Sequence, residues 1–254
     1  MLLAIDVGNS NITFGVHNGD GWIDHKRLST VISRTSDEYL VVFCNLLYQD
    51  QLRVEDIDRA VISSVVPPLV ETLGTMTRDL IGETPLVVEP GIRTGIRIRT
   101  DNPAEVGSDL VAGAVAAHEL YRSSAIIVGF GTALTFTAVD EHGDLLGVAI
   151  APGLNAAVKT LIKDTAQLPA VQLKPPPRAI GRNTIHSIQS GIIFGYVGMV
   201  ESIVRRMKKE LAGPVEVIAT GGQANVLAPL TAQFTRVEPW LILDGLRLIA
   251  DKNP

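Results

Sequence analysis

The sequence predicts an α/β protein built from two copies of one unit that face each other across a cleft. Three observations lead there. An apolar run, a tight turn and a second apolar run open the chain in "LLAIDVGNSNITFGVHNGD", and the pattern returns in "AIIVGFGTALTFTAVDEHGD". Laid over one another, Asp6-Val7-Gly8-Asn9 falls on Gly129-Phe130-Gly131-Thr132, and Gly19-Asp20 on Gly143-Asp144 after one inserted residue. Each pattern is followed by alternating helical and extended segments. The 254 residues leave room for two ordinary domains with substantial cores. The expected lobes are 1–116 and 117–254.

In the first lobe "LLAIDVG" and "NITFGVHN" read as strands, "HNGDG" as a turn and "WIDHKRL" as a third strand. Thr35 and Glu38 have capping-box spacing and predict a helix from about Asp37 to Leu47. The β-branched run "RAVISSVVP" predicts a strand ending at Pro67-Pro68, followed by a helix through "LVETLGTMTRDLIG" and a short strand "PLVVE". Asn102-Pro103 predicts the start of a helix through "AEVGSDLVAGAVAAHELY", with Pro103 in its first turn. In the second lobe "AIIVGFG", "ALTFTAVD" and "LLGVAIAPG" read as strands, and "LNAAVKTLIKD" as a helix. A proline-rich loop, "LPAVQLKPPPRAIGRNT", precedes a long helix from about Thr184 to Leu211. Its stretch "GIIFGYVGMVESIV" is apolar enough to predict a core face with a share in a dimer interface. "PVEVIAT" reads as a strand, "QANVLAPLTAQF" as a helix and "PWLILDGLRLIADK" as the closing helix.

Hydrophobic residues make up 46% and charged residues 19%, so the chain is expected to fold and not to stay disordered. A net charge of −5 argues against nucleic acid or an anionic membrane as partner. The basic run "VRRMKK" reads as a solvated helix face. Cys44 is the one cysteine, so no internal disulfide can form; it is expected to pack as a small core hydrophobe in a reducing, cytoplasmic setting. The histidines do not pair at helical spacing, and no zinc site is expected. No run of about 18 uncharged apolar residues predicts a membrane span. The N-terminus lacks the basic lead of a signal peptide.

Asp6 carries the functional argument. A carboxylate at the tip of a buried strand is costly unless it is paired or bound to a cation. Gly8 permits a tight turn and close approach of a ligand. Asn9, Ser10, Asn11 and Thr13 supply short donors and amide N–H groups. Such a hairpin can wrap phosphate oxygens while the carboxylate holds a hydrated Mg2+. It is neither a P-loop nor a dinucleotide-binding turn, since GxxxxGK[ST] and GxGxxG are both missing. The alternative is an ordinary β-turn using the same residue types. The internal repeat favours the phosphate reading.

"DVGNSNITFG", "NPAEVGSD", "GFGTALTF", "APGL", "GRNT" and "TGGQA" occur in the order and spacing of type III pantothenate kinases, which the chain resembles over essentially its whole length. The resemblance implies the fold of the acetate/sugar kinase–Hsp70–actin superfamily: duplicated actin-like (ribonuclease H-like) domains, each a mixed five-stranded sheet with flanking helices. It implies phosphorylation of pantothenate by ATP, the first step of coenzyme A synthesis, in a homodimer that uses Mg2+ and a monovalent cation, K+ or NH4+. By residue it implies ATP contacts at Asp6, Val7, Gly8, Asn9, Ser10, Asn11, Ile12, Thr13, Thr132, Gly221 and Gly222. It implies a general base at Asp109, and substrate contacts at Gly107, Ser108, Asp109, Leu110 and Thr184. The small, apolar surroundings of Asp109 in "EVGSDLVAGAVAA" fit a confined acid.

Three positions depart from the family pattern. Gly129 stands where an aspartate ligates the monovalent cation. Leu110 stands where an arginine follows the catalytic aspartate, and Thr100 replaces a tyrosine before "DNP". These departures motivate two further readings: a catalytically impaired, nucleotide-binding or regulatory dimer, and a kinase for a less anionic alcohol.

Overall fold

The computed structural model describes residues 1–163 and 168–254. They form two compact units. The first comprises Met1–Ile96, Asp101–Ala116 and Leu241–Pro254; the second comprises Arg97–Thr100 and Ala117–Trp240.

In the first unit the meander Leu2–Val7 (β1), Asn11–His17 (β2) and Trp22–Ser29 (β3) is followed by helix Ser36–Gln49 (α1), strand Arg59–Ser64 (β4), helix Pro67–Ile81 (α2) and strand Leu86–Val87 (β5). The sheet order is β3-β2-β1-β4-β5. β1 and β2 pair antiparallel, as do β2 and β3, while β4 runs parallel to β1 and β5 to β4. Crossover helices make the parallel pairings possible. α1 starts as its spacing predicts: Thr35 accepts from the backbone N–H of Glu38, and the Glu38 carboxylate accepts from Thr35 N–H at 2.8 Å. One face of the sheet packs Leu3, Ile5, Val7, Phe14 and Val16 against Tyr39, Phe43, Leu69 and Leu73 of the two helices. Cys44 lies half-buried at the margin of this core.

The helix expected from Pro103 starts later. Pro103–Glu105 is an isolated 3-10 turn, Val106 is extended, and helix Ser108–Tyr121 (α3) begins only after Gly107. Val106 breaks the run, and this places Asp109 in the first turn of a new helix.

The second unit repeats the plan. Short strand Arg97–Ile98 (β6) precedes the meander Ser124–Phe130 (β7), Ala133–Val139 (β8) and Asp144–Pro152 (β9), then helices Leu154–Lys163 (α4) and Thr184–Met207 (α5), strand Val215–Thr220 (β10), helix Ala224–Leu227 (α6) and strand Arg236–Val237 (β11). The order β11-β10-β7-β8-β9 mirrors that of the first sheet, and β6 adds a sixth strand beside β9. β6 and β11 are two-residue pairings without alternation of their own, so the sequence reading missed both. The helix expected across "QANVLAPLTAQF" shrinks to α6 and a 3-10 turn at Ala228–Leu230, since Pro229 cannot continue it. The expected extension of α4 to Asp164 lies outside the described residues. α5 is long and apolar enough to cross a membrane by composition alone, contrary to the sequence reading. Its apolarity is explained by burial of Ile188, Ile193, Tyr196, Val200 and Val204 in the second core.

The closing helix Leu241–Lys252 (α7), expected with the second lobe, packs with the first unit on β1, β2 and β4. It crosses α3 backbone to backbone: a Cβ added at Gly245 would lie 1.8 Å from the carbonyl oxygen of Ala112. Gly245→Ala is therefore expected to destabilise by about 3 kcal/mol, the higher helix propensity of alanine being too small to offset the collision. Thr35→Ala removes only a cap and is expected to cost about 1 kcal/mol. Urea unfolding of the two variants measures both, and a Gly245→Ala protein as stable as the parent would refute the close crossing.

Candidate active site

Asp6 is the penultimate residue of β1, and the turn that follows is held from inside and outside. Gly8 N–H donates to Asn11 O at 2.9 Å, Thr30 Oγ1 donates to Gly8 O at 2.6 Å, and Thr30 N–H donates to Ser10 O at 3.1 Å. Asn9, Ser10 and Asn11 are exposed at the tip, with Gly8 and Thr13 half-buried behind them. Val7 and Ile12 are fully buried in the core. Of the residues expected to hold ATP, these two can offer only backbone groups. Thr30 was not foreseen, since nothing marks a threonine after a strand as the brace of a distant turn.

The same unit brings Asp109 to Asp6. Asp109 lies in the first turn of α3, and its carboxylate folds back over Gly107, where a Cβ would fall 2.5 Å from Oδ1. Any other residue at 107 would fill the space the acid uses. Burial, helped by the charge of Asp109 and opposed by the neighbouring Ser63 hydroxyl, pushes the Asp6 carboxyl up to about 7. Asp6 Oδ1 is buried without a hydrogen-bond partner. Burial also raises Asp109, against the backbone N–H groups of Leu110 and Asp109, which favour its charged form. The expected substrate residue Ser108 turns its hydroxyl to β4: Oγ lies 2.9 Å from Ser63 Oγ and accepts from Ser64 N–H at 3.2 Å. Leu110 is half-buried.

Among the described residues no three His, Cys, Asp or Glu side chains converge. A divalent ion at Asp6 would thus take most of its ligands from water and phosphate, which is how Mg2+ is usually held. The orphaned Oδ1 and the second acid beside it fit such a hydrated cation.

In the second unit the register repeats. Asp6 is flanked by Thr13 on β2 and Ser63 on β4; Gly129 is flanked by Thr135 on β8 and Thr220 on β10. A Cβ at Gly129 would lie 2.6 Å from Thr135 Oγ1, so the threonine hydroxyl occupies the room a side chain at 129 would need. No carboxylate stands there, and the residues present do not supply an anionic ligand for a monovalent cation. Thr132 is exposed in the β7–β8 turn, where Gly131 N–H donates to Ala133 O at 3.1 Å, the counterpart of the Gly8–Asn11 bond. Gly221, with φ of +89°, follows β10 and lies against Phe130, where a Cβ would meet its carbonyl oxygen at 2.6 Å. Thr132 and the Gly221-Gly222 turn are thus held at the same end of the sheet. Thr184 is exposed at the start of α5, capped by Asn183 Oδ1, which accepts from His186 N–H at 2.9 Å. It lines a groove of about 280 Å³ with Leu161, Ile188 and Ile192. Thr100 is half-buried, and its hydroxyl has no partner.

An acid whose folded pKa stands near 7 binds more protons folded than unfolded between about pH 4 and 7, so its contribution lowers stability as pH rises through that window. Asp109 acts in the same direction. Asp6→Asn is expected to be more stable than the parent at pH 8, with the gap closing towards pH 4; urea midpoints across that range test this, and parallel curves would refute it. Gly129→Asp is expected to destabilise the protein unless Thr135→Ala accompanies it, which thermal unfolding of the single and double variants decides.

The family model for type III pantothenate kinase matches residues 2–206. The chain is 44% identical over 253 residues to the type III pantothenate kinase of Moorella thermoacetica and 46% identical to that of Pelobacter propionicus, each alignment covering 100% of both chains. In structure it resembles the (R)-2-hydroxyglutaryl-CoA dehydratase component A of Acidaminococcus fermentans, with a TM-score of 0.55 at 14% identity over 98% of this chain and 95% of the other. The fold is accordingly that of the duplicated actin-like kinases and ATPases. With a family model spanning most of the chain and full-length relatives at this identity, the protein belongs to the type III pantothenate kinase family.

Proposed function

We propose that the protein transfers the γ-phosphate of ATP to the primary hydroxyl of pantothenate, giving 4'-phosphopantothenate and ADP. The observation that carries this is the pairing of Asp6, at a braced phosphate-type turn, with Asp109, a second half-buried acid, in a member of this family. Asp109 would accept the alcohol proton as the new O–P bond forms and the bond from the γ-phosphorus to the bridging oxygen breaks. A pKa raised by burial makes it a better base near neutrality than a solvated aspartate. Asp6 would face the phosphates and hold the hydrated Mg2+, which supplies neutralisation of their charge. The exposed Asn9, Ser10 and Asn11, with the half-buried Gly8 and Thr13 behind them, would hold phosphate oxygens, and Thr132, Gly221 and Gly222 are assigned to ATP by the family resemblance. Gly107, Leu110 and Thr184 are assigned to pantothenate on the same basis.

The protein is further proposed to act in the cytoplasm as a homodimer. The side of α5 that carries Thr184, Ser187, Gly191, Phe194, Gly195 and Gly198 is exposed in the single chain and suits a partner copy. No carboxylate stands at 129, so a dependence on K+ or NH4+ weaker than in the aspartate-bearing pattern is part of the proposal. The comparisons bring nothing in support of a non-catalytic role.

Purified protein with ATP, Mg2+ and pantothenate, with and without K+ or NH4+, is expected to form 4'-phosphopantothenate. Asp109→Asn is expected to lower kcat by about 10²- to 10⁴-fold while ATP still raises the unfolding temperature. No turnover by the parent, with ATP protection retained, would replace this reading with the nucleotide-binding one.

A further inference from the structure

Ser63 is completely buried at the end of β4, in a strand position where an apolar residue would cost nothing. Its Cα partner across the parallel β1–β4 pairing is Asp6. In-register partners on neighbouring strands point to the same face and lie about 4.8 Å apart. Its hydroxyl therefore stands beside the Asp6 carboxylate, where it favours the charged form. On its other side, Ser63 Oγ lies 2.9 Å from Ser108 Oγ, at the N-terminus of α3 and one residue before Asp109. An ionised carboxylate only accepts, and each serine has one O–H. Ser108 accepts from Ser64 N–H at 3.2 Å, and its one O–H is shared between Ser64 O, at 3.3 Å, and Ser63 Oγ. Ser63 and Ser108 thus form a line of hydroxyls between the Asp6 carboxylate and the Ser64 backbone at the end of β4. Bonds in such a line polarise one another.

We infer that Ser63 is a positioning residue for phosphoryl transfer, the tie that fixes the strand bearing Asp6 to the helix turn bearing Asp109. It touches neither substrate; it sets the distance between the acid on the phosphate side and the acid on the alcohol side. This rests on the kinase reading above. Displacing a reacting group by about 1 Å can cost on the order of 100-fold in rate without weakening binding.

The test uses the full-length protein in the pantothenate phosphorylation assay. Ser63→Ala is expected to lower kcat about 10- to 100-fold, with KM for ATP and for pantothenate changed less than about threefold. Ser63→Cys keeps the volume but donates weakly; it is expected to fold with the parent's unfolding temperature and yet show most of the loss in kcat. Ser63→Thr, which keeps the hydroxyl, is expected to recover most of it. Because both serines belong to one line, Ser108→Ala should cost far less in the Ser63→Ala background than in the parent. A kcat for Ser63→Cys within twofold of the parent, a loss confined to KM, or strictly additive serine effects would each overturn the inference while leaving the kinase reading intact. A parent protein without turnover would overturn both.

Discussion

The first unit is organised around a corner that holds two half-buried acids and, among the described residues, no ion-pair partner for either. A fold that buries unpaired charge loses stability, which is retained only where something outside the chain completes the site. Every nearby feature serves that corner. Gly107 vacates the space into which the Asp109 carboxylate folds. Thr30 pins the turn from the far side of the meander. Ser63 and Ser108 join strand and helix through their hydroxyls. On the proposed function, phosphate with its cation would relieve the charge that these two acids bring to the corner.

The duplication shows what became of the same corner elsewhere. Both units use the same strand order, and both flank the homologous residue of their first strand with hydroxyl side chains from the two neighbouring strands. In the first unit that residue is an aspartate that keeps its space. In the second it is Gly129, and Thr135 has closed over it. Loss of a carboxylate in a packed sheet does not leave a hole waiting for its return, because neighbouring side chains fill the room. The second unit keeps the turn geometry at Gly131 and a glycine at 221 but carries no carboxylate at the position matching Asp6.

Much of the fold was legible in the sequence because it is written in local signals. The two meanders, the capping box at Thr35 and Glu38, and a strand through "RAVISS" follow from period, turn residues and prolines, although the strand stops at Ser64 and not at Pro67-Pro68. What escaped was decided by tertiary pairing. Two-residue strands such as Arg97–Ile98 and Arg236–Val237 have no periodicity to read and exist only because a neighbour offers an edge. The last helix reads as amphipathic from its leucines and isoleucines, but only Gly245 hints that it must cross another backbone, and nothing local says which.

The site divides along the same line. Asp6 and Asp109 were legible because a charge ending an apolar run, or set among small residues, is conspicuous. Val7 and Ile12 were included with the turn because a motif does not distinguish a residue that offers its backbone from one that offers its side chain; the alternation of β1 and β2 sends both into the core. Ser63 was invisible because "RAVISSVVP" reads as well with either serine facing solvent. Its meaning comes from register: the parallel pairing that sets Asp6 opposite Ser63 also sets Val7 opposite Ser64, so a slip of one residue would turn Ser63 away from the acid. The chemistry of this corner therefore depends on a strand alignment fixed by the apolar residues on either side of it. The core of the unit holds the site in register before any ligand arrives.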